Sequence, residues 1–223
     1  MGKQSAGFLF FGAQITTMLS AHNGGVTDQL SLSIWLEKHA KPNRLSHFEA
    51  LLRLFPFSQR DQPQSTFSVS AIDTTEPPLL ERPFNGPADI AEILPIFRDF
   101  RGEDVAYRYE SWWDLWQFDR DWAIKPGRVV LSCFGPDFDN GTDRTAIEQE
   151  DLRIDFGVDS NYLPQAEVPS AAKLIESNIK SLLRLVHEID SVLPVKLRRL
   201  ETESGENFAE RLQQRLTASG RLQ

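Results

Sequence analysis

The sequence predicts an α+β protein made of two similar ββαβα halves, each on a mainly antiparallel sheet with helices packed on one face, joined by an aromatic strand. Three observations predict it. Some segments alternate apolar and polar residues as half-buried strands do, others repeat apolar residues at helical spacing, and the order of the two kinds recurs. In both halves, 1–103 and 104–223, an Asn-Gly turn links the first two strands, and a helix carries L-L-R-L, at Leu51 to Leu54 and Leu182 to Leu185. One continuous globular domain is the alternative that 223 residues also allow.

Gly7 to Leu19 reads as a first strand ending at the turn Asn23-Gly24-Gly25. Gln29 to Leu36 alternates Leu30, Leu32, Ile34 and Leu36 with Ser31, Ser33 and Trp35, a second strand. Pro42 and Asn43 end that segment. Ser46 and Glu49 then form an S-x-x-E capping box on a helix with Phe48, Leu51, Leu52 and Phe55 on its apolar side. Thr66 to Asp73 is a strand, followed by a Pro-rich connection. Asn85-Gly86-Pro87 opens a helix with Pro87 at its first position, which Pro95 should kink or interrupt.

Arg128 to Phe134 reads as a strand, Asp139-Asn140-Gly141 as a turn, and Leu152 to Val158 as a strand alternating Leu152, Ile154, Phe156 and Val158 with Arg153, Asp155 and Gly157. Pro169 and Ser170 start the strongest amphipathic helix, with Leu174, Ile175, Ile179, Leu182, Val186, Ile189 and Leu193 at helical spacing. Pro194 stops it. Val195 to Thr202 is a strand, and Glu206 to Leu216 a last helix.

Between the halves, Val105 to Trp122 holds four of the five tryptophans and two of the three tyrosines. Read as one strand, Val105 to Phe118 points Tyr107, Tyr109, Trp113 and Leu115 to one side and Glu110, Trp112, Asp114, Trp116 and Phe118 to the other. The first set suits a core. The second places flat rings beside carboxylates, as in a site that stacks on a sugar or holds a cation or basic side chain. The expected ligand-binding residues are therefore Glu110, Trp112, Asp114, Trp116, Asp119 and Trp122. Glu110 and Asp114 lie four residues apart, about 13 Å along a strand, too far for the usual glycosidase carboxylate pair.

A net charge of −8 and a pI near 5.1 argue against nucleic acid as the main partner, since phosphate binding needs clustered Lys and Arg. Lys196, Arg198 and Arg199 are followed at once by Glu201 and Glu203, a solvated face. The lone Cys133 excludes an intrachain disulfide and a cysteine zinc cluster, and fits a reducing compartment. The opening residues imitate a secretory leader, but Gln14, Thr16 and Thr17 break the apolar run, Ala6 breaks the myristoylation pattern, and no stretch is of membrane-spanning length. Asp137 to Glu148 has the oxygen-bearing spacing of a calcium loop, but its glycine, Gly141, falls one place early, and a polar turn fits better. His22, His39, His47 and His187 show no ligand spacing, and no P-loop, nucleophile elbow or dinucleotide fingerprint is present. The expectation is a cytoplasmic, non-enzymatic binding or protein-interaction domain with an acidic, aromatic surface. Its partner is another protein or a cationic small ligand, with no nucleic acid, membrane, metal or cofactor. The alternative is a carboxylate-based hydrolase with a tryptophan substrate platform.

Overall fold

A long hairpin dominates the computed structural model, which describes residues 28–37, 39, 41–60, 64–141, 148–163 and 171–218. Strand β4 (Val105–Phe118) pairs with β5 (Trp122–Phe134) without a break from Ala106↔Phe134 to Phe118↔Trp122. Around it lie β1 (Gln29–Leu36), β2 (Ser65–Ala71), β3 (Leu80–Phe84), β6 (Leu152–Val158) and β7 (Val195–Thr202), in one antiparallel sheet of order β3-β2-β4-β5-β6-β1-β7. The four helices α1 (Lys41–Leu54), α2 (Ile90–Asp99), α3 (Ala171–Val192) and α4 (Phe208–Ala218) contribute to a single core on one face. The α+β class and the antiparallel pairing match the sequence reading. In place of one sheet per half there is a single sheet, in which β1 sits between β6 and β7 from the other end of the chain. The first strand and turn expected at Gly7 to Leu19 and Asn23 to Gly25 lie outside the described residues.

Several local expectations are corrected. Helix α1 begins at Lys41, five residues before the expected cap, so Ser46 lies inside it and its hydroxyl donates to the Asn43 carbonyl. A proline is tolerated in a first helical turn because its missing N–H has no partner there. The Pro-rich connection contains β3, an edge strand, where Pro83 forfeits no ladder bond. Helix α2 starts at Ile90 rather than Pro87, capped by Asp89, whose carboxylate accepts the Ala91 N–H at 2.9 Å, and it continues through Pro95 to Asp99. Strand β5 begins at Trp122, six residues before the expected start, and so includes Pro126 and Gly127. Pro126 opposes Asp114, whose even-numbered neighbours Trp112 and Trp116 direct their backbone groups away from β5, so the ladder needs no N–H there.

The odd-numbered side chains of β4 form the centre of the core. Tyr107 rings with Phe48, Phe67 and Phe97, and Trp113 with Phe55, Phe156 and Tyr162, so α1, α2, β2 and β6 meet on one strand. The Tyr107 hydroxyl donates to the Phe100 carbonyl, and the buried Arg44 lies over the Tyr107 ring while donating to the Gly102 carbonyl. At the other end of the sheet, Arg211 on α4 bridges Asp28 and Asp159 and holds the last helix to β1.

Beyond Glu110, β4 has no β2 residue beside it. The Ser58 N–H donates to the Trp112 carbonyl at 2.8 Å, and further along the same edge the buried amide of Asn178 on α3 closes the position at Trp116. Its oxygen accepts the Trp116 N–H at 2.9 Å, and its nitrogen donates to the Trp116 and Asn161 carbonyls, each at 2.8 Å. Asn178→Leu keeps the branched shape but takes the side-chain partner from three backbone groups, the Trp116 N–H and the Trp116 and Asn161 carbonyls, so we expect a loss of roughly 2–4 kcal/mol. Urea unfolding should show a lower midpoint with an unchanged slope.

Candidate functional site

Even-numbered residues of β4 face away from the helices, together with their partners on β5. Glu110, Trp112, Asp114 and Trp116 therefore share one side of the hairpin, as the alternation predicts, and all are half-buried. Phe118 and Trp122 pack in a tilted pair at the hairpin end with ring centroids 5.4 Å apart, and Phe118 is 43% exposed. Asp119 occupies the turn between the strands. The six expected residues thus fall along one side and the tip of a single ribbon.

Three of the ribbon's four carboxylates, all but Asp121 in the turn, already have a cation. Arg128, across the ladder from Trp112, donates to both oxygens of Glu110 at 2.6 Å. Those bonds hold the Glu110 carboxyl below its ordinary range, with the Arg128 and Arg108 charges adding to the effect against desolvation. Asp114 accepts from the Ser58 hydroxyl at 2.6 Å and from Arg60 at 3.3 Å. Asp119 lies 3.6 Å from the Lys125 ammonium. Ser58, Arg60 and Arg128 were missed by sequence reasoning. Arg128 was legible in principle, since a hairpin through Phe118 to Trp122 sets it opposite Trp112, but Pro126 and Gly127 masked the strand.

Charge on this side of the sheet is ordered by strand pairing. One rung across all seven strands reads Glu81, Ser68, Arg108, Ser132, Arg153, Ser33 and Arg199; the next reads Pro83, Thr66, Glu110, Val130, Asp155, Ser31 and Glu201. An arginine row lies beside an acid row. Arg153 bonds Asp155 at 3.0 Å and Glu150 at 3.4 Å, and Arg199 stacks 5.6 Å from the Trp35 ring centroid. The net charge of −8 is therefore not concentrated here.

Other features carry less chemistry. An open depression of about 460 Å³ lies on the helical side, between Leu52 of α1, Phe55 just after it, Phe57 and the Pro87–Ile90 segment. Its charged residues are Arg53, paired with Glu49, and Asp89, the cap of α2. Cys133 is buried on the core side, and burial pushes its thiol up to about 12, which removes it as a nucleophile at neutral pH. No group of three His, Cys, Asp or Glu residues able to hold a metal occurs among the described residues. The Asp139 carboxylate accepts the Gly141 N–H at 2.9 Å, the bond of a polar turn, and residues 142–147 of the calcium-like stretch lie outside the described residues. His39 and His47 stack with Nδ1 atoms 3.3 Å apart, a pair that their spacing in sequence did not signal. No described helix is long and apolar enough to cross a membrane. No protein-family model, curated protein or solved structure matches this chain.

Two titrating groups pull stability in opposite directions with pH. Asp151 accepts the Leu36 N–H at 2.7 Å, yet burial pushes its carboxyl from 3.8 up to about 6, with Glu148 raising it further. Its penalty is absent below about pH 3.8 and grows as pH rises through 6. Burial lowers His39 from 6.5 to about 4, with His47 and Arg44 adding to the effect, so its contribution is whole above pH 6.5 and lost as pH falls toward 4. Asp151→Asn should raise the urea midpoint above neutral pH and leave it unchanged below pH 3.8. His39→Asn should flatten the acid limb alone.

Proposed function

We propose that this chain works by binding rather than by catalysis, docking another protein through the outer side of the β4–β5 ribbon. Trp112, Trp116, Phe118 and Trp122 are the apolar anchors, and Glu110, Asp114 and Asp119 form the polar rim. One observation carries the reading: half-buried and exposed aromatics stand on a single side of a strand pair whose other side is fixed in the core. Aromatic side chains on a rigid support are the usual anchors of protein interfaces.

A protein partner is favoured over a small cation because Arg128, Arg60 and Lys125 already occupy three of the ribbon's four carboxylates. The same pairing weighs against the carboxylate hydrolase. A general acid must keep its proton near neutral pH, whereas Arg128 holds Glu110 ionised. The single buried Cys133 suits a reducing, cytoplasmic setting. An origin by duplication is part of the same proposal, supported by L-L-R-L on α1 and α3, whose first leucines, Leu51 and Leu182, both enter the core.

The Trp116→Ala/Trp122→Ala double variant should keep most of the wild-type melting temperature, since both side chains face away from the core. It should bind a partner crosslinked to the wild-type ribbon roughly tenfold more weakly or worse. Equal binding by wild type and variant removes the reading. Turnover of a glycoside panel by the wild type, abolished in Glu110→Gln, would replace it with the hydrolase.

A further inference from the structure

We propose that the two charged rungs form a self-complementary surface through which two copies of this chain dock face to face. The surface borders the aromatic ribbon and shares Glu110 with it, but the inference does not depend on what the ribbon binds. Arg108, Arg153 and Arg199 lie on one rung, and Glu110, Asp155 and Glu201 on the next. Neighbouring rungs on one face are about 7 Å apart, and charges on every second strand are about 10 Å apart. Ser132, Ser33, Val130 and Ser31 fill the intervening positions and are buried, whereas the charged side chains between them are half-buried or exposed.

A two-fold axis running along the rungs, midway between them, turns one sheet over onto another and exchanges the rows. Arg108 of one copy then lies over Glu110 of the second, Arg153 over Asp155, and Arg199 over Glu201. The same three pairs form again by symmetry, as in any isologous interface. Among the described residues, no salt bridge engages Arg108, Arg199 or Glu201, whereas Glu110 is already held by Arg128 and Asp155 by Arg153, so Arg199–Glu201 is the pair both of whose members gain an ionic partner by docking.

Charge selects this occupant over others. A basic partner matches the acid row and is repelled by the arginine row, and a polyanion meets the reverse. A second copy satisfies both rows at once. Two molecules of charge −8 repel elsewhere, whereas on this face Arg108, Arg128, Arg153 and Arg199 balance Glu81, Glu110, Asp155 and Glu201. Seven strands by two rungs span roughly 29 by 14 Å, about half the usual area per partner, so the association is weak and salt-sensitive.

Sedimentation equilibrium over a concentration series should show a dimer of the full chain whose dissociation constant rises with ionic strength. R199E and E201R should each weaken self-association by about tenfold or more, because each sets like charges opposite one another. An equimolar mixture of the two single variants should associate again, since every pair is then opposite in charge, and so should the double variant R199E/E201R. R108E, far from the β7 edge, should also weaken the dimer, which separates face docking from pairing at that edge. Melting temperatures close to wild type confirm that the variants are folded. A wild-type chain that stays monomeric at low salt overturns the proposal, as do single variants that associate normally or a mixture that fails to recover. The Trp116→Ala/Trp122→Ala variant keeps both charged rows, so failure of the ribbon reading leaves this dimer intact, and the reverse holds for R199E.

Discussion

The structure depends on one constraint, the two-residue period of β4 in the middle of the sheet. A strand of fourteen residues cannot turn its side chains anywhere but alternately up and down. Here that geometry divides the aromatics into Tyr107, Tyr109 and Trp113, which gather the helices, and Trp112, Trp116 and Phe118, which the helices do not cover. A one-residue slip against β5 would exchange the two sets and bury Glu110 and Asp114 in the core. The ladder with β5 and the Asn178 amide on the opposite edge fix that register.

How much of this was legible in the sequence follows from how locally each feature is determined. Strands β1, β2 and β6 and helix α3 could be read because one side of each is apolar and the other polar. The start of β5 was hidden because Pro126 and Gly127 normally break strands, and nothing local says that Pro126 faces a position needing no N–H. Edge placement hid β3 in the same way. The order of strands was not legible. Ser33 lies between Arg153 and Arg199, residues more than a hundred positions away, and no local pattern encodes such a pairing.

The candidate site divides along the same line. Which residues share the outer side of β4 follows from counting by twos. Which of them carry a free charge does not, because Ser58, Arg60 and Arg128 reach their carboxylates through tertiary contacts. Aromatics beside acids suggest a cation site in sequence, whereas in the fold the cations are the protein's own. That difference moves the weight of recognition from the carboxylates to the rings.

Composition misleads about the surface for a related reason. A charge of −8 is a sum over the whole chain, while a partner meets only what strand pairing assembles on one face. Arg108, Arg153 and Arg199 come from three strands, β4, β6 and β7, that are never neighbours in the sheet, and the sheet order alone sets them in a row. Each has its acid two residues further along the same strand, at Glu110, Asp155 and Glu201. The pattern Arg-x-Glu or Arg-x-Asp is commonplace in a single strand and says nothing by itself. Repeated in register on β4, β6 and β7, it becomes a pair of parallel charged rows, whose only simple complement is the same pair turned over.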